Sequence, residues 1–211
     1  MRRLQLLAGC ATLLLALAIA VQGPFGVVLA DGWVTPVLAF EFARVPEDLA
    51  FLAGSENQSV RDTFVRTQRL DMVFPFAYAA LLLIAAFRER DPRLRWAGVG
   101  CAAAAPLLDL GENAVMGSIL ASLDNGASIE ALLTPLFVAT WAKWLAIAGA
   151  LGAIGVGWWR SGRRALAVPV LVVLPMTVLA MATGNPLVSE ALGGAVVLGF
   201  VVAFGHAFVA D

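Results

Sequence analysis

Charged residues are scarce in this sequence: Asp, Glu, Lys and Arg make up 14% of it, against 61% hydrophobic residues. Soluble domains contain about a quarter charged residues. Together with a mean hydropathy of +0.87, this composition excludes an ordinary soluble protein and indicates one whose partner is the lipid bilayer. The formal net charge is −1, and no Lys/Arg run resembles a nucleic-acid footprint, which argues against nucleic acid as a partner.

Histidine and cysteine are also scarce. His206 is the only histidine, and one imidazole cannot build a histidine-rich metal or haem site; we interpret it as an interface residue. Cys10 and Cys101 lie in apolar segments without CxxC spacing, so we expect buried free thiols rather than a disulfide or metal ligands. The sequence also lacks HExxH, GxSxG, Walker and GxGxxG motifs. We therefore expect no metal and no cofactor.

Long apolar runs separated by polar loops indicate about six membrane-spanning helices. A helix needs about 20 apolar residues to cross the hydrocarbon core. We expect a single all-α domain over residues 1–211, a polytopic transmembrane helix bundle made of a four-helix core (about 1–159) and a helical hairpin (about 165–209). The predicted spans are about 4–21, 70–87, 96–123, 131–159, 165–182 and a last one that follows Gly184-Asn185-Pro186 and ends near Phe208.

The segment between the first two predicted spans, residues 22–69, is mixed in character. Asp31, Gly32 and Pro36 would break a spanning helix, and Glu41 interrupts an otherwise apolar stretch. We interpret the segment as an outer loop of short helices that lie at or dip into the interface and cap the bundle. Ser59 marks the start of a helix that we expect to continue without a break into the second span.

Arginine placement predicts the orientation. With six spans, three groups of arginines share one side, and the positive-inside rule makes that side cytoplasmic, with both termini inside. We interpret the first span as an uncleaved anchor, and a secretory signal cut after Ala20 remains the alternative. The outer segment carries four arginines against the rule. The inner arginines are Arg2, Arg3, Arg88, Arg90, Arg93, Arg95, Arg160, Arg163 and Arg164, and the outer ones Arg44, Arg61, Arg66 and Arg69.

The third predicted span contains the stretch PLLDLGENAVM, which places Asp109, Glu112 and Asn113 on one helix face at i, i+3 and i+4. A charge near the bilayer centre costs about 2.5 to 3.5 kcal/mol on insertion scales. Two carboxylates within one turn therefore need partners, protons or water. The sequence predicts that this face points into the protein interior.

The only lysine, Lys143, lies in the fourth span. Asp109 and Lys143 are each 17 residues from Gly126 in the predicted turn, so a symmetric hairpin places them at one depth near mid-membrane. We predict an ion pair between Asp109 and Lys143. Glu112 would then be a carboxylate without a counter-ion, and such a group could take up a proton.

A second polar face opens the second span. Asp71, Pro75 and Tyr78 lie at i, i+4 and i+7, and Pro75 frees the backbone carbonyl of Asp71 and can kink the helix there. Pro169 and Pro175 interrupt the fifth span in the same way. If the second, third and fourth spans pack together, a polar track runs from the outer face to mid-bilayer. The predicted ligand or proton site is Asp71, Tyr78, Asp109, Glu112, Asn113 and Lys143, and the predicted pocket lining is Pro75, Thr140, Trp141 and Trp144.

The pattern D-x3-P-x2-Y, then P-x2-D-x2-E-N, then an intramembrane lysine resembles one found in small uncharacterised bacterial multi-pass membrane proteins. The resemblance covers about residues 1–150. It implies a helical protein of the bacterial cytoplasmic (inner) membrane and no particular activity. Its residues here are Asp71, Pro75, Tyr78, Pro106, Asp109, Glu112, Asn113 and Lys143.

Three classes of function stay open at this point. The favoured hypothesis is a site, open toward the outer face, that binds or conducts a small ligand, a cation or a proton. The first alternative is a membrane-embedded enzyme acting on a lipid or isoprenoid, with Glu112 as acid or base and Lys143 stabilising an anion. The second is a structural or assembly subunit whose polar cluster specifies helix packing. A small-molecule or lipid ligand and a homo-oligomer fit all three classes.

Overall fold

The computed structural model describes residues 1–24 and 26–209, and every regular element in these ranges is a helix. Two of the elements are short 3-10 helices, Pro46–Leu52 and Ser55–Asn57. Five helical stretches are long and apolar enough to cross a membrane: Arg2–Gln22, Ser55–Phe87, Glu130–Arg160, Arg164–Thr183 and Pro186–Val209. The helices are α1 (Arg2–Gln22), α2 (Pro36–Glu41), α3 (Gln58–Asp71), α4 (Phe74–Phe87), α5 (Pro92–Asp124), α6 (Glu130–Arg160), α7 (Arg164–Leu171), α8 (Val173–Thr183) and α9 (Pro186–Val209).

The hairpin of α5 and α6 is the centre of the bundle. Asp91 begins α5 by accepting a hydrogen bond from the backbone N–H of Arg93, as an N-cap residue does. Gly126 occupies the turn with φ +66°, a conformation that favours glycine. The turn lies where the sequence predicts it. α5 is not among the five apolar stretches, and it carries the acidic patch in its middle.

Prolines explain two interruptions. The helix predicted to run into the second span is part of one helical stretch, Ser55–Phe87, with a short interruption at Met72 and Val73 between α3 and α4. Pro75 has no N–H to continue the hydrogen-bond ladder, so the interruption lies at the predicted kink. In the same way, α7 and α8 are separated at Val172, between Pro169 and Pro175.

The segment predicted as an outer loop reaches deep into the bundle through α2. Phe40 is completely buried and Glu41 is 8% exposed. The chain can enter an apolar environment here because Glu190 of α9 accepts hydrogen bonds from the two residues that precede α2. Glu190 Oε1 accepts from the backbone N–H groups of Val34 (2.9 Å) and Thr35 (2.6 Å), and its Oε2 accepts from the Thr35 hydroxyl (2.6 Å).

Replacing Glu190 with alanine is expected to lower the free energy of unfolding by about 1–2 kcal/mol, because three donors at the start of α2 lose their acceptor. Glu190→Gln keeps one carbonyl oxygen and is expected to lose about half as much. Thermal unfolding in detergent measures both. Equal stability of wild type and Glu190→Ala would show that the position of α2 does not depend on Glu190.

Arg61 is buried between the loop that precedes α3 and the end of α5. It is 3% exposed, and its guanidinium donates to the carbonyls of Leu52 (2.6 Å) and Gly54 (2.7 Å), to the Gln58 side chain (2.5 Å) and to Asp124 (2.5 Å). A buried guanidinium committed to carbonyls of one loop has a structural role. This structural role gives a reason for one of the four arginines in the predicted outer segment, where the positive-inside rule does not favour arginine.

The last two spans are part of the same bundle. α9 packs against α1, α4 and α7, and the Gln5 side chain of α1 donates to the backbone carbonyl of Ala203 (2.7 Å). Phe200 stacks on Tyr78 with ring centroids 5.5 Å apart. The predicted hairpin therefore supplies a wall of the core.

A second polar cluster lies at the predicted inner end. His206, predicted as an interface residue, is instead 2% exposed. It stacks on Trp158 at 4.5 Å and accepts a hydrogen bond from Arg163 at its Nε2 (2.5 Å). Burial raises the pKa of the neighbouring Glu89 carboxyl, and the Arg163 guanidinium opposes that shift. Both cysteines are free, as expected, but Cys10 is exposed on α1 rather than buried.

Candidate functional site

A buried ion network centred on Lys143 joins three helices. The Lys143 ammonium donates to Glu112 Oε2 of α5 and lies 3.1 Å from Glu41 Oε2 of α2. The Thr140 hydroxyl lies against Glu112 Oε1, and the Trp144 indole N–H donates to Glu41 Oε2 (3.1 Å). The side chain of Glu112 is 1% exposed and that of Lys143 6% exposed. Both carboxylates therefore lie against the same positive charge in the interior of the bundle.

The predicted ion pair between Asp109 and Lys143 is wrong. Asp109 Oδ2 accepts from the Tyr78 hydroxyl (2.8 Å), and its Oδ1 faces the Asn113 amide nitrogen at 3.4 Å. Equal depth on two helices fixes the height of two side chains and leaves their direction open. Glu112 points at α6 and takes the ammonium, so the prediction that it lacks a counter-ion is also wrong.

A cavity of about 700 Å³ lies beside this network. Ligand pockets for small molecules measure about 300–1,000 Å³, so its size suits a small organic molecule. Aliphatic residues of α1 and α9 form one side of it. Its polar and ionisable lining residues are Thr35, Glu41, Thr67, Gln68, Asp71, Tyr78, Asp109, Asn113, Lys143, Trp144 and Glu190.

Six of the predicted residues meet at this cavity: Asp71, Tyr78, Asp109, Asn113, Lys143 and Trp144. Trp144 also places its ring 5.4 Å from the Lys143 ammonium, a distance typical of a cation–π contact. The structure thus assembles residues from the second, third and fourth predicted spans in one place.

The other four predicted residues lie outside the lining that the structure describes. Glu112 and Thr140 are buried on the far side of the Lys143 ammonium. Trp141 packs on Phe42, with ring centroids 4.9 Å apart. Pro75 is buried in the first turn of α4. Of the residues predicted to line a pocket, Trp144 borders this cavity, whereas Pro75, Thr140 and Trp141 are not among its described lining residues.

Sequence reasoning missed three contributors. Glu41 was visible as a charge inside an apolar stretch, which is the signal for a buried ionisable residue. Gln68 precedes Asp71 by three residues and so lies on the same helix face; its amide donates to the backbone carbonyl of Asn113 (2.6 Å). The α9 wall, with Phe200 and Glu190, follows from tertiary packing and has no local signal.

Carboxyl groups outnumber basic groups around the cavity. Glu41, Asp71 and Asp109 line it, and Glu112 lies directly behind Lys143, which is the only basic residue in the lining that the structure describes. Asp109 receives hydrogen bonds from neutral donors. Among the described residues, no group of three or more His, Cys, Asp and Glu side chains is placed to hold a metal ion. The lining therefore suits hydrogen-bond donors and monovalent positive charge.

Asn113 adds an unused acceptor to this lining. Its side chain is buried, its Nδ2 faces Asp109, and its Oδ1 has no hydrogen-bond partner within the described residues. Buried polar atoms in folded proteins are almost always hydrogen-bonded. Asn113 therefore brings an unsatisfied side chain to the edge of the cavity that it lines.

Comparisons of the chain with protein-family models, with curated proteins and with solved structures found no match.

Proposed function

We propose that the protein is an integral membrane protein that binds a small ligand, or conducts a cation or proton, through a cavity open toward the outer face. The observation that carries the proposal is the cavity of about 700 Å³ with an acidic floor. Intramembrane ionisable residues mark ligand or ion sites by default. Asp71, Asp109 and Asn113 hold the solute in this proposal.

The proposal includes a topology of six spans, with α5 as the third. α5 has 33 residues, more than the roughly 20 that a span needs, and the two charged residues in its middle, Asp109 and Glu112, are buried against α4 and α6. The arginines beside α1, α5 and α7 then lie inside, with both termini. Thr67, Gln68 and Asp71 lie toward the outer end of the cavity. The resemblance noted above favours a bacterial inner membrane.

The Lys143 network favours a second, structural role within the same site. Glu112 and Thr140 are buried away from the cavity and serve the connection between α2, α5 and α6. We therefore assign helix packing to Glu112 and Thr140, and solute contact to Asp71, Tyr78, Asp109 and Asn113. The enzyme alternative required Glu112 to reach a substrate as acid or base, and its position behind Lys143 does not favour that role.

A cavity-filling variant tests the proposal. Gly194 lines the cavity, and a Cβ added there meets no atom within 4 Å. Gly194→Phe is therefore expected to place a ring in the cavity without straining the helix. Native mass spectrometry of protein released from its own membrane is expected to show a bound mass on wild type, reduced about tenfold in the variant, which corresponds to 1.4 kcal/mol of binding free energy.

Gly205→Phe is the matched control. Gly205 lies on the same helix, α9, is absent from the cavity lining, and also has no atom within 4 Å of an added Cβ. The control is expected to retain the bound mass. The proposal is wrong if wild type carries no bound mass, or if Gly194→Phe and Gly205→Phe carry the same amount.

A further inference from the structure

Two residues that line the cavity have unused binding capacity: Asn113 has an unpaired acceptor, and Asp109 has a carboxylate without a cationic partner among the described residues. Asn113 Oδ1 is buried without a hydrogen-bond partner among the described residues. The other polar groups of Asn113 are engaged: its Nδ2 faces Asp109 and its backbone carbonyl accepts from Gln68. Asn113 and Asp109 belong to one helix turn, and both residues line the cavity. An occupant that donates hydrogen bonds could contact both.

The charge of Asp109 favours a cationic donor. Lys143 forms its ion pairs with Glu41 and Glu112, and no ion pair of the described residues includes Asp109 or Asp71. Tyr78 and Asn113 give Asp109 hydrogen bonds without positive charge. A hydrogen bond between an ionised donor and a carboxylate is roughly twice as strong as a neutral one. An occupant with a positive N–H group would therefore gain more here than a neutral one.

Aromatic and aliphatic side chains line the cavity beside Asp109 and Asn113. Phe74 and Phe200 flank Tyr78, with ring centroids 5.3 and 5.5 Å from the tyrosine ring, and all three rings line the cavity. Aromatic faces attract cations. Farther along, Ile19 of α1 and Val197 of α9 offer aliphatic surface. The occupant that fits has a positive head and an apolar body.

We propose that the solute of this cavity is an organic amine, with its protonated nitrogen against Asp109 and Asn113 and its apolar body against α1 and α9. This inference rests on the proposed binding function and specifies the class of ligand. An anion would face Asp71, Asp109 and Glu41, and a neutral molecule would leave the charge of Asp109 uncompensated. A bare metal ion would have no use for the aliphatic walls.

Three probes of one shape test the inference. 4-Phenylbutylamine, 4-phenylbutanol and 4-phenylbutyrate differ in head charge and share one apolar body. Isothermal titration calorimetry of the protein in lipid nanodiscs, with the signal of empty nanodiscs subtracted, measures each affinity. The amine is expected to bind at least about tenfold more tightly than the alcohol, and the butyrate more weakly than either.

Two variants locate the amine head. Asp109→Asn keeps an oxygen for the Tyr78 hydroxyl and removes the charge, so the preference for the amine over the alcohol is expected to disappear. Asn113→Ala is expected to weaken amine binding severalfold, and it gives a second reading should Asp109→Asn fail to fold. The control Asp91→Asn alters a carboxylate at the start of α5, outside this cavity, and is expected to bind the amine as wild type does.

The outcomes separate the two proposals. If wild type binds the alcohol or the butyrate as tightly as the amine, and Gly194→Phe abolishes that binding, the inference about the amine is wrong and the binding cavity stands. If Gly194→Phe binds the amine as wild type does, the amine lies elsewhere and the inference is wrong. If none of the three probes binds wild type, the inference is overturned, and the bound mass in native mass spectrometry decides the proposed function separately.

Discussion

Replacing Lys143 with methionine is expected to lower the free energy of unfolding by about 3–5 kcal/mol, the cost of removing one partner of a buried ion pair. The methionine fills a similar volume and leaves Glu41 and Glu112 without the ammonium that both contact. The cost arises from these two buried carboxylates more than from the lost attraction. Steric trapping or thermal unfolding in detergent measures the change.

The exposed pair of Arg160 and Asp91 provides the matched control. Its atoms lie 2.9 Å apart, and the arginine side chain is 63% exposed, so Arg160→Met is expected to cost at most about 1 kcal/mol. Adding Glu112→Gln to Lys143→Met removes one uncompensated charge and is expected to recover part of the loss. A Lys143→Met protein as stable as Arg160→Met would contradict the structural role assigned to the network.

Replacing Arg61 with alanine is expected to lower the free energy of unfolding by about 2–4 kcal/mol. The carbonyls of Leu52 and Gly54 lose their donor, and a buried polar group left unsatisfied costs about 1–3 kcal/mol. Asp124 adds little, because its side chain is 40% exposed and water can replace the lost contact. Thermal unfolding in detergent or lipid nanodiscs measures the effect.

Arg61→Lys tests whether stability depends on the positive charge of Arg61 or on the planar shape of its guanidinium. A lysine keeps the positive charge near Asp124 but lacks the planar fork that reaches four acceptors, so it is expected to recover less than half of the loss. Arg66 lies exposed on the same helix, and Arg66→Ala is expected to change stability by no more than about 0.5 kcal/mol. If Arg61→Ala and Arg66→Ala behave alike, the outer loop does not depend on the guanidinium.

The helices and their breaks were predictable because their causes are local. Apolar runs of spanning length predict α1, α6 and α9. Pro75 causes the interruption before α4, because its missing N–H removes one hydrogen bond of the helix. The turn at Gly126 follows from the same kind of signal. These features depend on residues within one helical turn of each other.

The ion network was only partly predictable because it depends on how helices face one another. The sequence placed Asp109 and Lys143 at one depth, but depth along two helices does not say which acid points at the ammonium. Glu112 does so, and Glu41 joins it from α2, whose packing against α5 and α6 has no local signal in the sequence. The α9 wall of the cavity required knowledge of helix packing for the same reason.

The short helix α2 is fastened at both ends to different parts of the bundle. The backbone N–H of Thr35, the residue before its first turn, donates to Glu190 of α9, and its last residue, Glu41, contacts Lys143 of α6. A helix of six residues spans about 9 Å. It therefore connects Glu190, at the edge of the cavity, to the ammonium of Lys143. A movement of α9 away from α6 would strain the buried contact between Glu41 and Lys143.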